Sequence, residues 1–332
     1  MAYASASRAV LVRSSDAEQA LAAATNARAA EQAERFLAKS KAPNTVRAYT
    51  ADWKHFAEWC TDAARPSLPA TPETVALYLS DLAATHKVST LRRRLTTIGK
   101  AHELDGYDDN PTRHSLVQDV FDGIRRELGF LQHGKTPLLS DDIRALLDVQ
   151  PGDLTGLRNR SLILVGFSGA FRRSELIGIA IADIQWVPDG LIILVRRSKT
   201  DQHGEGMKKA IPYGQQPETC PVRSLRAWLD ALGETSGPVF RSITKTGRIS
   251  DRALSDRSVA LIIKESALKA GLDPTLYAGH SLRSGFATQA AISGASERSI
   301  IRQGGWASEK MARRYIRDAS LFRDNAADSL GL

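Results

Sequence analysis

The sequence predicts a mainly helical chain of two domains, with one small antiparallel sheet set inside the second. Three observations carry this. Apolar residues recur at helical spacing from about Glu31 to Leu128. The stretch "GFLQHGKTPLLSDD" (Gly129–Asp142) has no periodicity and holds glycines and a proline, the make-up of a linker. Beyond it helical spacing returns, but between Ile184 and Tyr213 short apolar runs alternate with turn residues. The expected boundaries are an alanine-rich extension, frayed or disordered, over 1–30, a helical domain over 31–128 and a linker over 129–139. The second domain covers 140–332, with a tail from about residue 319.

In the first domain, "APNTVRAYTADWKHFAEWC" sets Val46, Tyr49, Trp53, Phe56 and Ala57 on one helical face, with Asn44 or Thr45 as N-cap. "RPSLPATPETVALYLSDLA" opens with prolines and then runs helical through Val75, Leu79 and Leu82. "KVSTLRRRLTTIGKAHELDG" buries Leu91, Leu95 and Ile98, so at least two of Arg92, Arg93 and Arg94 face outward. Asn110-Pro111 breaks the chain before a last helix ending near Leu128. Four or five helices without a strand make a bundle. In the second domain helix signals resume at Ser140, with Asp141 and Asp142 in the first turn. "RNRSLILVGFSGAFRRSELIGI" reads as a buried helix, a glycine turn and a second helix. A Pro-Asp-Gly turn, the run Leu191–Val195, a polar loop and a strand ending near Tyr213 make the sheet. From Pro221 onward the pattern is helical again.

The 332 residues are 42% hydrophobic and 25% charged, ordinary for a globular chain. No apolar run approaches the roughly 20 residues of a membrane span. The N-terminal "MAYASASRAVLVRSSDAEQ" lacks the apolar core of a signal peptide. Cys60 and Cys220 form no metal-ligand pair and fit a reduced, cytoplasmic setting. The net charge is +8 and the pI about 9.6, with the excess in the C-terminal part. That balance suits a polyanionic partner and suits simple solubility equally. There is no Gly-x-x-x-x-Gly-Lys loop, no His-Glu-x-x-His and no cluster of Asp, Glu and His, so no metal is expected. "GFSGA" and "GHSLR" begin like a serine nucleophile elbow but lack its second glycine.

What remains is a scattered set of cations, one histidine and one tyrosine. In "GAFRRSELIGI", Arg172 stands three residues before Glu175 among apolar neighbours. At least one of Arg172 and Arg173 is a candidate for burial, and a buried arginine needs an anion, Glu175 or a phosphate. "GHSLRSG" puts His280 and Arg283 on one helical face, and Lys199 in "RRSKT" sits where a strand gives way to a loop. In "KMARRYIRD", Met311, Ala312, Tyr315 and Ile316 share a face, the spacing of a packing stripe. Taken singly, these are a surface ion pair, a satisfied histidine, a solvated lysine and a core tyrosine. Taken together and in order, "FRRSEL", "RRSKT", "GHSLRSG", "QGGW" and "KMARRYIRD" resemble the catalytic motifs of the tyrosine recombinase (phage integrase) family, most closely its Cre-like subgroup. The likeness runs from about Asn44 to the C-terminus. "TVRAYTADWKHFAEWC" and "GGWASEKMARRYIRD" are its most telling stretches.

The resemblance implies a two-domain DNA clamp, a helical core-binding domain joined to a mixed α/β catalytic domain. It implies site-specific recombination through a 3′-phosphotyrosine intermediate and a Holliday junction, without ATP, metal or cofactor. Arg172 and Arg283 would clamp the scissile phosphate, with His280 assisting. Trp306 would complete the clamp, where most of the family has histidine and the Cre-like members share tryptophan. Glu175 would orient Arg172, Lys199 would protonate the departing 5′ oxygen, and Tyr315 would attack phosphorus. The residues alone leave Arg173 open as the first arginine. The chemistry agrees. A tyrosine with a pKa of about 10 is a poor nucleophile until cations favour its anion. Guanidinium groups hold non-bridging oxygens and the charge that builds on them, and a lysine can serve as general acid.

In the first domain Arg92, Arg93 and Arg94 would meet the major groove, and Lys41, Asn44 and Arg47 mostly phosphates. The implied partner is double-stranded DNA carrying a specific, inverted-repeat site. The tail could form a short apolar stripe of Leu321, Phe322, Ala326 and Leu330. The resemblance implies that it docks on a neighbouring subunit in a homotetramer on two paired sites. The expected setting is the cytoplasm, on nucleoid or plasmid DNA. Two other readings stand beside this one. A type IB topoisomerase-like enzyme would share the chemistry without partner exchange, and an architectural DNA-binding protein would have lost it.

Overall fold

The computed structural model describes residues 43–129, 135–196, 206–306, 308–319 and 330. The N-terminal extension, Lys41, Lys199 and most of the tail lie outside them. The chain divides into two compact units, Met1–Gln132 and His133–Leu332.

The first unit contains α1 (Pro43–Asp62), α2 (Pro72–Ala83), α3 (Val88–Leu104) and α4 (Ser115–Leu128), with a 3-10 turn at Pro111–Arg113. Proline at the first position of α2 costs no hydrogen bond, and the Thr71 hydroxyl caps the helix by accepting from the Thr74 amide at 3.3 Å. The core joins Phe56 and Cys60 of α1, Tyr78 and Leu79 of α2, Leu91 and Ile98 of α3, and Phe121 of α4. His102 is fully buried and satisfied on both sides. Its Nδ1 pairs with the Ile98 carbonyl at 2.8 Å and its Nε2 accepts from the Ala70 amide at 2.9 Å. Two expectations for α1 are corrected. The helix starts at Pro43, so Asn44 and Thr45 lie inside its first turn. Val46 is 46% exposed, because the apolar face turns inward only from the next turn on.

The second unit opens on residues first read as linker. From Lys135 they are fastened to this unit: Lys135 Nζ donates to the Thr275 carbonyl at 2.5 Å, and the Thr136 amide to that of Leu276 at 2.9 Å. Leu138 is fully buried. Next come α5 (Ser140–Asp148), α6 (Leu154–Ser168) and α7 (Arg173–Ile177). The sheet is β1 (Ile184–Val187), β2 (Gly190–Val195) and β3 (Met207–Pro212), antiparallel in that order. Its first hairpin turns at Pro188-Asp189, with Val187 opposite Gly190. Gly190 has φ 151, and a Cβ there would meet the Ile211 carbonyl oxygen at 2.1 Å, so only glycine fits. The rest is α8 (Pro221–Leu232), the pair β4 (Arg241–Ile243) and β5 (Ile249–Ala253), then α9 (Asp256–Lys269), α10 (His280–Ile292), α11 (Glu297–Gly304) and α12 (Glu309–Ala319).

The β4–β5 pair corrects the expectation of helix alone beyond Pro221. The core of this unit runs through Leu162, Phe171, Ile193, Ile211, Trp228, Phe240, Ile263 and Leu282. Both free cysteines are buried, one in each core. No helix among the described residues is long and apolar enough to cross a membrane.

Candidate active site

Four segments of the second unit bring the predicted residues together. The first is the sharp exit from α6. Gly169 permits it, since a Cβ there would strike the Phe171 ring at 2.1 Å, and Ala170 takes φ 48. The chain then reaches Arg172 at the head of α7. The Arg172 amide donates to Glu175 Oε2 at 3.0 Å, and its guanidinium donates to Glu175 Oε1. Burial alone would raise the Glu175 carboxyl. The Arg172 amide and guanidinium outweigh it, helped by the charge of Lys209, and hold the group below its ordinary value. Arg173 is set differently. It lies against Gly279, half exposed, 4.0 Å from Asp256. Of the two arginines, Arg172 is the one held by a buried carboxylate.

The second segment is α10. Gly285 lets the chain cross at Leu138, whose carbonyl oxygen would lie 2.0 Å from a Cβ. Arg283 is 1% exposed. Its Nη1 donates to the carbonyls of Ala170 at 2.6 Å and Gly304 at 2.7 Å. Its Nη2 is buried with no partner among the described residues. Burial and then the charge of Arg172 push Arg283 down to about 10, with Glu175 and Tyr315 working the other way, so it stays charged at neutral pH.

The third segment is "QGGW". A Cβ on Gly304 would lie 1.7 Å from the Trp306 ring, and Gly305 has φ 65. The two glycines therefore fold Trp306 back onto Arg283, whose Cζ stands 4.2 Å from the ring centroid.

The fourth is α12, which carries Tyr315. Ala312 is fully buried, and Tyr315 and Ile316 are half-buried against Ala287, Ala291 and Ile300. Met311 is 53% exposed and leaves the expected stripe. The Tyr315 hydroxyl lies 3.0 Å from His280 Nε2, and its ring centroid is 6.4 Å from that of Trp306. His280 is held below its ordinary value by the protein around it and by the charges of Arg283, Arg173 and Arg172. Because His280 still reaches solvent, the three guanidinium groups are the firmer cause. Arg313 is committed to Glu297 and Glu309, at 2.6 and 2.7 Å.

Arg172, Glu175, His280, Arg283, Trp306 and Tyr315 thus belong to one cluster, set at the ends or first turns of helices. Lys199 belongs to the connection between β2 and β3, outside the described residues. Sequence reading missed Lys209, which is 1% exposed beneath the cluster. Its period-two spacing with Met207 and Ile211 placed it on the inner face of β3 and was the available signal.

The candidate DNA-contacting residues of the first unit separate. Asn44, Arg47 and Arg92 are exposed, the first two bonded to each other. Arg93 is bound to Asp52 through two hydrogen bonds of 2.6 and 2.9 Å. Arg94 needs correction as a groove-reading residue, being 8% exposed. Its Nη1 donates to the Tyr78 hydroxyl at 2.6 Å and pairs with His55 Nδ1 at 2.8 Å, so it holds the bundle together.

The family model for the phage integrase family matches residues 137–321, the stretch that contains this whole cluster. An integrase/recombinase xerD homolog of Selenomonas ruminantium is 45% identical over 308 residues, 92% of this chain and 90% of that one. The recombinase cre of Escherichia phage P1 is 26% identical, covering 80% of this chain and 81% of its own. Among solved structures, the XerH site-specific recombinase bound to its palindromic difH substrate superposes with a TM-score of 0.64. It is 17% identical over 85% of this chain and 79% of that one, a likeness of fold. With the site geometry, the family match and a relative at 45% identity in agreement, the chain belongs to the phage integrase family of tyrosine recombinases.

Proposed function

We infer that this chain is a site-specific DNA recombinase that cuts and rejoins double-stranded DNA through a 3′-phosphotyrosine link. The observation that carries the reading is the Tyr315 hydroxyl at 3.0 Å from His280 Nε2, beside buried Arg283 with its open Nη2. A phosphodiester oxygen supplies the partner that this Nη2 lacks, and Arg172 holds the second non-bridging oxygen. Both cations then face the charge that grows on phosphorus oxygens in the pentacoordinate transition state. Trp306, with its ring centroid 4.2 Å from Arg283 Cζ, packs against that guanidinium and limits its movement. His280, neutral at pH 7 because its pKa is lowered, takes the Tyr315 proton on Nε2. The Tyr315–phosphorus bond forms, the bond to O5′ breaks, and Lys199 gives that oxygen a proton. Attack by the 5′ hydroxyl of a partner strand reverses these steps, so the exchange needs no ATP and passes through a Holliday junction.

In the first unit, exposed Asn44, Arg47 and Arg92, with Lys41, contact the DNA. The sequence 319–332 docks on a neighbouring subunit, giving a homotetramer on two paired, inverted-repeat sites. A cavity of about 460 Å³ in the second unit, lined by Phe167, Ala210, Phe286, Ala290 and Ile300, supports this, since its apolar wall suits Leu321 and Phe322. The nicked-site trap tests the function. A site nicked just 3′ of the scissile phosphate releases a short fragment on cleavage and strands the covalent product. An SDS-stable protein–DNA adduct with the natural chain, and none with Tyr315→Phe, supports the reading. No adduct on any site that the protein selects from random DNA contradicts it.

A further inference from the structure

Lys209 occupies a position where the fold expects an apolar side chain. It lies on the inner face of β3 opposite Ile193, which is fully buried, and is itself 1% exposed. A buried ammonium without compensation costs several kcal/mol. Here the compensation comes from main-chain dipoles. Nζ donates to the carbonyls of Gly169 at 2.6 Å, Gln303 at 2.8 Å, Gly304 at 3.3 Å and Ala170 at 3.4 Å. It also stands 4.9 Å from the centroid of the Phe171 ring.

These carbonyls are of one kind. Gly169 and Ala170 follow the end of α6, and Gln303 and Gly304 end α11. Helix ends present carbonyls without intrahelical partners and carry partial negative charge. Two such ends converge on one cation. Two of the four carbonyls, Ala170 and Gly304, also accept from Arg283. Ala170 leads within two residues to Arg172, and Gly304 leads within two to Trp306.

We propose that Lys209 is a positioning residue for strand cleavage: its ammonium group ties the ends of α6 and α11 together and so sets Arg172, Arg283 and Trp306 around the phosphate. This rests on the strand-cleavage reading above. The charge matters because an ammonium offers three donors and a neutral amine two. Burial pushes Lys209 down to about 7; Glu175 opposes this, and Arg283 and Arg172 add to it. The phosphodiester brings a negative charge into the same cluster and favours the ammonium.

The test uses the full chain and the nicked site, with single-turnover cleavage rate, DNA affinity and thermal melting measured on each variant. Lys209→Met keeps length and apolar bulk without the charge. The expected result is a cooperative melt, DNA affinity within about twofold of the natural chain, and cleavage slower by about 100-fold, the cost of misplacing reacting groups by about 1 Å. Lys209→Arg restores at least tenfold of that loss. A merely structural lysine would lower melting temperature without separating rate from affinity. If Lys209→Met does not melt cooperatively, Lys209→Gln, which keeps two N–H donors and no charge, takes its place with the same expectation. Cleavage by the folded variant within twofold of the natural rate overturns the proposal. Absence of adduct with the natural chain would instead overturn the strand-cleavage reading itself.

Discussion

Glu175 is a carboxylate held in a core, with its side chain only 1% exposed, and it is paired with Arg172. Removing one member of a buried pair leaves the other uncompensated, so Glu175→Ala costs about 3 kcal/mol of stability. Denaturant unfolding of the natural chain and the variant measures that difference. The folded group titrates below its ordinary value of 4.5, so its contribution is complete above about that pH. It is lost as pH falls through the lower folded value, and the two unfolding curves should converge in acid. His280 gives a prediction for rate. On the proposed mechanism its neutral form accepts the tyrosine proton, and its pKa lies below the ordinary 6.5. On the acid side, single-turnover cleavage should therefore begin to fall only below about pH 6.5, whereas His280→Ala should lose that acid limb together with most of the rate.

Chemistry at this scale was legible because arginine, histidine and tyrosine stand in ordered motifs. The resemblance favours Arg172 over Arg173, and in three dimensions Glu175 holds the first while Asp256 stands 4.0 Å from the second. Arg94 stands three residues after Leu91 and four before Ile98, on the buried face, but a charged residue there reads as surface until its partners are known. Tyr78 and His55, on two other helices, supply the polar atoms that let its guanidinium stay buried.

Elements carry the site by ending where they do. The helix of Arg283 begins at His280, α7 begins beside Arg172, and α11 stops so that "GGW" can turn. Gly305 adopts the left-handed region, and a Cβ there would also press on Met207 at 2.6 Å. Gly305→Ala should cost about 1–2 kcal/mol. It should also slow cleavage more than it weakens DNA binding, because the turn aims Trp306 and leads into α12; melting and single-turnover rates read both effects.

The β1–β2–β3 sheet was visible from its change of period and its Pro-Asp-Gly turn. The β4–β5 pair was not, since β4 has only three residues and its partner reads "ISDRA", a run without an apolar alternation. What pairs them is context. The Leu254 amide donates to the Phe240 carbonyl at 2.9 Å, and the Trp228 indole to that of Val239 at 2.8 Å. Lys209 escaped notice for the converse reason: a charged residue on an inward position reads as surface until the helix ends that receive it are known.

At the scale of the molecule, the net charge of +8 coexists with a first unit whose arginines are partly spent on its own carboxylates. Binding should therefore depend on a limited set of phosphate contacts. For six to ten of them, affinity for a single site falls by about 10³-fold or more between 50 and 200 mM salt. Fluorescence anisotropy across that range gives the slope, and Arg92→Ala should shift affinity at one salt concentration. Truncation after Asp318 should leave single-site binding and cleavage intact while abolishing cooperative assembly of two sites, as read by native gel. Assembly that survives the truncation would remove the tail from the interface.

The central claim is that the Tyr315 oxygen becomes covalently joined to DNA. Arg314 and Arg317 flank it, so trypsin releases Tyr315 in the short peptide Tyr-Ile-Arg. Mass spectrometry of the trapped, nuclease-trimmed adduct should find that peptide carrying a 3′-linked nucleotide, and no such mass after Tyr315→Phe. A nucleotide found on any other peptide, or an adduct that persists in Tyr315→Phe, would contradict the account.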